Sequence, residues 1–217
     1  MSSFTLWAVL RRDPERPVTE SDVTELADIR ELIEAGGVTI RGFYDVSGLR
    51  SDADLMIWIH GDSAEALQRD LRRLRRTELL KNLLPTWNAM AVHRDAEFNR
   101  AHVPGFLRGI EPKQWLTVYP FVRSYDWYLL PEEDRSRMLR DHGRKGAAFT
   151  NVVANTVAAF ALGDYEWVLP MEADELTDLV DMMRDLRYTE ARLHVREELP
   201  FFTGRRIEID DIPEVLQ

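Results

Sequence analysis

Residues 67–78, LQRDLRRLRRTE, and residues 179–190, LVDMMRDLRYTE, carry one pattern twice, at an offset of 112 positions. Leu67, Leu74, Arg75, Thr77 and Glu78 match Leu179, Leu186, Arg187, Thr189 and Glu190, and Arg72 matches Arg184. In each block apolar residues fall at i, i+4 and i+7: Leu67, Leu71 and Leu74, then Leu179, Met183 and Leu186. That spacing lines up on one face of an amphipathic helix. Each block also follows a strand-like run, 55–59 in the first case and 167–169 in the second.

Working outward, the first half reads as a strand over 4–10, a helix over 20–34 stopped by Gly36 and Gly37, and strands near 38–46 and 54–60. The repeat helix and a strand over 89–93 complete it. The second half reads as a strand over 115–122, then a helix over 131–142 with Pro131 near its start and Gly143 at its end. Strands near 156–162 and 165–171, the repeat helix and a strand over 193–197 follow. The order β-α-β-β-α-β, read twice, is the ferredoxin-like pattern, so the expected class is α+β with a duplicated ferredoxin-like fold. Two helices cannot cover both faces of either sheet. The halves are therefore expected to pack together, and oligomerisation is plausible. Residues 1–93 form the expected N-terminal half, 94–112 a linker rich in Pro and Gly, and 113–217 the C-terminal half. Long linkers in compact proteins are often functional. Residues 11–17 and the tail after Gly204 read as a surface loop and a terminus.

Composition narrows the function. A net charge of −10 argues against a nucleic-acid partner, which would need a basic face. No run approaches the ~18 apolar residues of a membrane span, and the N-terminus lacks a charged region followed by an apolar core, so a cytoplasmic protein is expected. With no cysteine there is no disulfide, thiolate haem ligand or Cys-based zinc site. Neither a His-Glu-x-x-His motif nor a Gly-rich phosphate loop occurs.

The chemistry-bearing residues concentrate between 115 and 143. Tyr119 lies on an alternating strand run with Trp115, Thr117 and Phe121, where an aromatic residue is ordinarily core. A phenol is also suited to one-electron oxidation. Arg123 shares its strand face, since side chains repeat every two residues. It is either a surface arginine or a carboxylate anchor. His142 reads as a C-terminal helix histidine favoured by the dipole, or as a neutral imidazole able to ligate iron. Trp127 is a core residue or a pocket wall. His102, in the linker, is a solvated histidine or a base titrating near neutrality. Glu190, in the repeated Thr-Glu pair, is a weak candidate for the acceptor that a ligating histidine needs.

Tyr119-Pro120-Phe121-Val122-Arg123, the run from Trp127 to Pro131 and the His142-Gly143 pair resemble the signature of the coproheme decarboxylases, within the chlorite dismutase-like family. Arginine at 123 and histidine at 102 are similar to the actinobacterial branch. The resemblance covers most of the chain and implies a dimeric α+β barrel of two ferredoxin-like halves, assembled as a homopentamer, with the porphyrin in the C-terminal half. It implies that His142 ligates iron, that Arg123 and Arg187 hold propionates beside Trp127, and that Tyr119 and His102 are catalytic. The implied reaction is hydrogen-peroxide-dependent oxidative decarboxylation. Iron coproporphyrin III (coproheme), substrate and redox cofactor at once, becomes haem b through a tri-propionate intermediate. Tyr119 forms the radical that attacks a propionate, and His102 assists deprotonation of peroxide. Transient contact with a coproporphyrin ferrochelatase also follows from the resemblance. True chlorite dismutases carry a distal arginine downstream of the proximal histidine. Here that position is Asn155 or Ala154, and no arginine occurs between 147 and 160. The alternatives are a peroxidase or chlorite-degrading relative that keeps haem b, and a non-catalytic haem carrier.

Overall fold

The computed structural model describes residues 3–94 and 103–217, so His102 lies outside the described residues. The elements run β1 (Phe4–Arg11), α1 (Thr24–Ala35), β2 (Thr39–Asp45), β3 (Leu55–Gly61), α2 (Ala64–Leu74) and β4 (Leu84–Val92). They continue with β5 (Trp115–Arg123), α3 (Glu132–Ala147), β6 (Val153–Ala154), β7 (Val157–Ala158), β8 (Trp167–Ala173) and α4 (Leu176–Leu186). The last are β9 (Val195–Glu197), β10 (Phe202–Ile207) and α5 (Ile212–Leu216). Two compact units result, one of residues 1–93 with 202–217, the other of 94–201. No described helix is long and apolar enough to cross a membrane.

In the first unit β1 is hydrogen-bonded antiparallel to both β3 and β4, and β2 pairs with β3, the ferredoxin-like order. Strand β1 buries both its faces. Leu6, Ala8 and Leu10 meet Leu67, Leu71 and Leu74 of α2 in one core, while Trp7 packs on Trp58 with ring centroids 5.3 Å apart. Helix α2 starts where Ser63 accepts a hydrogen bond from the Ala66 N–H at 3.2 Å, a cap contributing about 1 kcal/mol. In the second unit β5 pairs antiparallel with β8 and β9, and β6 and β7 lie on β8, which is the same order again. The duplication is metrical: α2 and α4 start and stop 112 positions apart, as do β3 and β8.

Several expectations from sequence change. The tail after Gly204 is not a surface terminus. It continues β10, which pairs with β2, and α5 follows, so that Ile207, Ile209, Ile212 and Leu216 are buried in the first unit's core. Helix α1 begins at Thr24 rather than at 20, because Glu20 and Asp22 accept bonds from nearby backbone N–H groups and hold a loop. Helix α3 does not stop at Gly143 but runs to Ala147, so His142 sits inside a helix. Arg144 and Lys145 fill its last turn, where cations suit the dipole. The strand expected over 156–162 is reduced to β7, with β6 lying just before it and Ala161 turning the chain at φ 63°.

Candidate functional site

Strand β5, helix α3 and the chain after α4 bring the chemistry-bearing residues of the second unit together. Tyr119, Arg123, His142, Met183, Arg187, Arg192 and Glu198 line a cavity of about 60 Å³. His142, Leu169 and Leu186 also border a neighbouring cavity of about 840 Å³, whose wall includes Arg108, Arg140, Gly143, Phe149, Ala154, Thr156 and Met171. His142 thus stands between a small cationic chamber and a larger, mainly apolar one. A chamber of that size falls within the roughly 300–1,000 Å³ usual for small-molecule sites.

Tyr119 is 4% exposed. Its ring stacks on Phe201 at 4.3 Å, and its hydroxyl donates to Met183 Sδ at 3.6 Å. Burial pushes the phenol pKa well up, and the Glu198 carboxylate adds to this against three arginines. A buried hydroxyl with only a thioether acceptor keeps its proton at rest. Four residues along, Arg123 faces the same cavity. Its guanidinium lies over the Trp127 ring at 4.3 Å and over Phe121 at 5.1 Å, contacts that fix the direction of a long cationic side chain. Its backbone N–H donates to Glu166 at 2.9 Å. Trp127 is therefore not a cavity wall. It is fully buried with Met138 and Ala191, and serves as the platform on which Arg123 rests.

His142 is half-buried, and its Nδ1 lies 3.3 Å from the Thr189 hydroxyl. Its pKa is lowered, first by desolvation and then by the nearby Arg123 charge, so the neutral imidazole prevails at pH 7. Neutral imidazole is the form that ligates a metal. Glu190 is not its partner: that carboxylate accepts from Arg137 at 2.7 Å on an exposed surface. The polar group within reach of the His142 ring is the hydroxyl of Thr189, the residue before Glu190 in the repeat.

Arg187 donates to both oxygens of Glu198 at 2.8 Å, and Arg192 lies 2.8 Å from the same carboxylate. Glu198 thus occupies the place of a carboxylate between two guanidiniums. Asn155 is fully buried. Its Oδ1 accepts from the Phe106 N–H at 3.0 Å and its Nδ2 donates to Glu172 at 3.1 Å. That carboxamide is committed to holding the 104–108 turn, whereas its neighbours Ala154 and Thr156 face the larger cavity.

Sequence reasoning missed Arg108, Arg140, Arg192, Glu198 and Thr189. The Thr77/Thr189 match was visible in the repeat. Arg140 lay in the predicted 131–142 helix but was given no role, and Arg108, Arg192 and Glu198 lie in stretches with no periodic or motif signal; only folding brings them to the cavities.

The family model for chlorite dismutase matches residues 20–207. The chain is 55% identical over 191 residues to the coproheme decarboxylase of Mycolicibacterium smegmatis, covering 88% of this chain and 83% of that one. A mutant chlorite dismutase from Candidatus Nitrospira defluvii in complex with cyanide superposes with a TM-score of 0.83 at 20% identity, over 99% of this chain and 95% of that chain. The chlorite dismutase from the same organism in complex with imidazole gives a TM-score of 0.83 at 20% identity, over 99% and 95%.

Proposed function

Because the chain belongs to the chlorite dismutase family, we propose that it is a hydrogen-peroxide-dependent coproheme decarboxylase, which turns two propionates of iron coproporphyrin III into vinyl groups and yields haem b. The observation that carries this reading is 55% identity to a coproheme decarboxylase over most of both chains. The donor set agrees with a porphyrin substrate: a neutral imidazole between two cavities, and guanidiniums at 108, 123, 140, 187 and 192 around them.

Per propionate, the chemistry requires one hydrogen peroxide and one proton in, and carbon dioxide and two waters out, with the peroxide reduced and the propionate oxidised by two electrons. The iron of the bound substrate supplies the reaction with peroxide. The protein does the rest. His142 holds the metal through its imidazole, and the arginines orient propionates through paired N–H donors. Tyr119 is the group oxidised: it gives up one electron and its phenolic proton, then takes a hydrogen atom from the propionate β-carbon. Loss of a second electron from that carbon radical breaks the bond to the carboxylate, releasing carbon dioxide and leaving the vinyl group, with both electrons going to the peroxide. Burial of the Tyr119 ring against Phe201 and the apolar core keeps water from quenching the tyrosine radical. His102 is the base that takes the proton from peroxide. Coproheme is therefore at once substrate and redox cofactor, and the porphyrin-binding half is narrowed from residues 113–217 to residues 113–201, since 202–217 belong to the first unit. The homopentamer, a delivering ferrochelatase and a cytoplasmic setting belong to the same proposal. A chlorite-degrading activity is disfavoured, because the position where the resemblance calls for arginine holds Asn155, whose amide is engaged elsewhere, or Ala154, which carries no charge.

The test is mass analysis of the porphyrin as the coproheme-loaded protein is titrated with hydrogen peroxide, alongside Tyr119→Phe. Stepwise loss of two carboxyl groups in the wild type and none in the variant is the expected result. Coproheme that merely bleaches in the wild type would sink the proposal.

A further inference from the structure

The end of the repeat helix makes the same side-chain bond in both units. Thr77 Oγ1 donates to the Leu74 carbonyl at 2.8 Å, and Thr189 Oγ1 donates to the Leu186 carbonyl at 3.0 Å. Leu74 and Leu186 close α2 and α4, and the last carbonyls of a helix lack intrahelical partners. Both threonines are buried, at 1% and 6% exposure, so the bond satisfies a carbonyl with little access to water. To this point the pair is a structural latch inherited by duplication.

Among the described residues, a threonine–histidine hydrogen bond occurs at the second copy, Thr189. A threonine hydroxyl carries one proton and two lone pairs. The proton of Thr189 is given to Leu186, so toward His142 Nδ1, 3.3 Å away, the oxygen can only accept. The position 112 before His142 is Arg30 on α1, whose guanidinium meets Glu34 at 3.3 Å instead.

We infer that Thr189 is the positioning residue that fixes the tautomer of His142: committed as a donor to the end of α4, it forces the proton onto Nδ1 and leaves the Nε2 lone pair for iron. The part concerning iron rests on the functional reading above; the tautomer does not. The acceptor is a neutral hydroxyl, so it orients the ring without giving it the anionic character that a carboxylate partner would.

The test begins on the apoprotein. Nitrogen-15 NMR of His142 at pH 7.5 should show the Nδ1–H tautomer in the wild type, a mixture in Thr189→Val, and recovery in Thr189→Ser. Binding of ferric coproheme should weaken about tenfold in Thr189→Val, the low end of losses seen when a ligand's outer hydrogen bond is removed. The reduction potential of the complex should rise, since a less firmly held imidazole donates less to ferric iron. Thr77→Val removes the same helix-end bond far from histidine, and should match Thr189→Val in thermal stability while leaving affinity and potential at wild-type values. An Nε2–H tautomer in the wild-type apoprotein overturns the inference, as does a Thr189→Val protein whose tautomer and potential equal the wild type's. If His142→Ala binds ferric coproheme with an unchanged spectrum, the ligand reading fails instead, and the apoprotein measurement still decides the role of Thr189.

Discussion

At Tyr119 the ring and the hydroxyl have separable roles. The ring carries the packing, stacked on Phe201 and buried with Met171 and Leu179, while the hydroxyl's partner is a weak sulfur acceptor. Tyr119→Phe should therefore abolish decarboxylation and leave unfolding within about 1 kcal/mol of wild type, since losing one modest hydrogen bond costs no more than that. Mass analysis and urea denaturation together check both halves. A second prediction concerns His60, opposite Thr39 in the β2–β3 ladder. Desolvation, then the Arg41 charge, lower its pKa to about 4, with Asp62 opposing. Its folded pKa lies below its unfolded one, so the unfolded chain binds the proton more readily. The stability it gives is complete above pH 6.5 and lost as pH falls toward 4. On the order of 2–3 kcal/mol of unfolding free energy should disappear over that window, and His60→Gln should flatten it. His142 contributes in the same direction. Denaturant midpoints at pH 7 and 5 for both proteins give the comparison.

Among the elements, α3 and the C-terminal segment carry the sharpest expectations. Gly143 lies inside α3 and lines the larger cavity, and a Cβ built there meets nothing within 4 Å. Gly143→Ala should raise apoprotein stability by up to about 1 kcal/mol, the helix-propensity difference, or about 2–4 °C in Tm for a chain of this length. It should also weaken coproheme binding, because the methyl enters space beside His142. A higher apoprotein Tm with unchanged affinity would mean that the ligand does not approach that face of the helix. In the other unit Ile212 is fully buried in α5 against the core. Ile212→Ala should cost about 2–5 kcal/mol, read as a fall in denaturant midpoint. A surface tail, as expected from sequence, would make the same substitution nearly silent. The tail was misread because residues 204–208, GRRIE, show too few apolar positions to betray period 2. Its burial arises from pairing with β2, a strand about 160 residues earlier, beyond the reach of any local pattern.

On the scale of the whole molecule, a duplicated chain is expected to use one copy of a feature for function and keep the other for folding. Arg75 and Arg187 are the repeat pair that tests it. Arg75 donates to the Leu83 carbonyl at 3.3 Å, a link within its own unit, whereas Arg187 faces the small cavity and grips Glu198. Arg187→Ala should raise KM for coproheme, on the order of tenfold for a lost charge-assisted bond, with a smaller change in kcat. Arg75→Ala should lower Tm and leave KM alone. Steady-state kinetics and thermal melts on the two variants separate the roles; equal kinetic effects would mean that the repeat position matters to folding alone.

The 112-residue repeat and the strand-like runs that became β1, β3, β5 and β8 determined the class of fold without help from coordinates. Side-chain period and helix stripe are local properties, and a duplicated pattern reports itself. The segment from Tyr119 to His142 likewise carried the resemblance to the coproheme decarboxylases. Tertiary structure alone decided that Glu198 and Arg192 join Arg187, that Trp127 lies beneath Arg123 rather than in the cavity, and that Thr189 and not Glu190 faces His142. It alone took the C-terminal residues into the first unit's core. Such contacts join residues distant in sequence, and burial and charge act across space. No spacing along the chain encodes them.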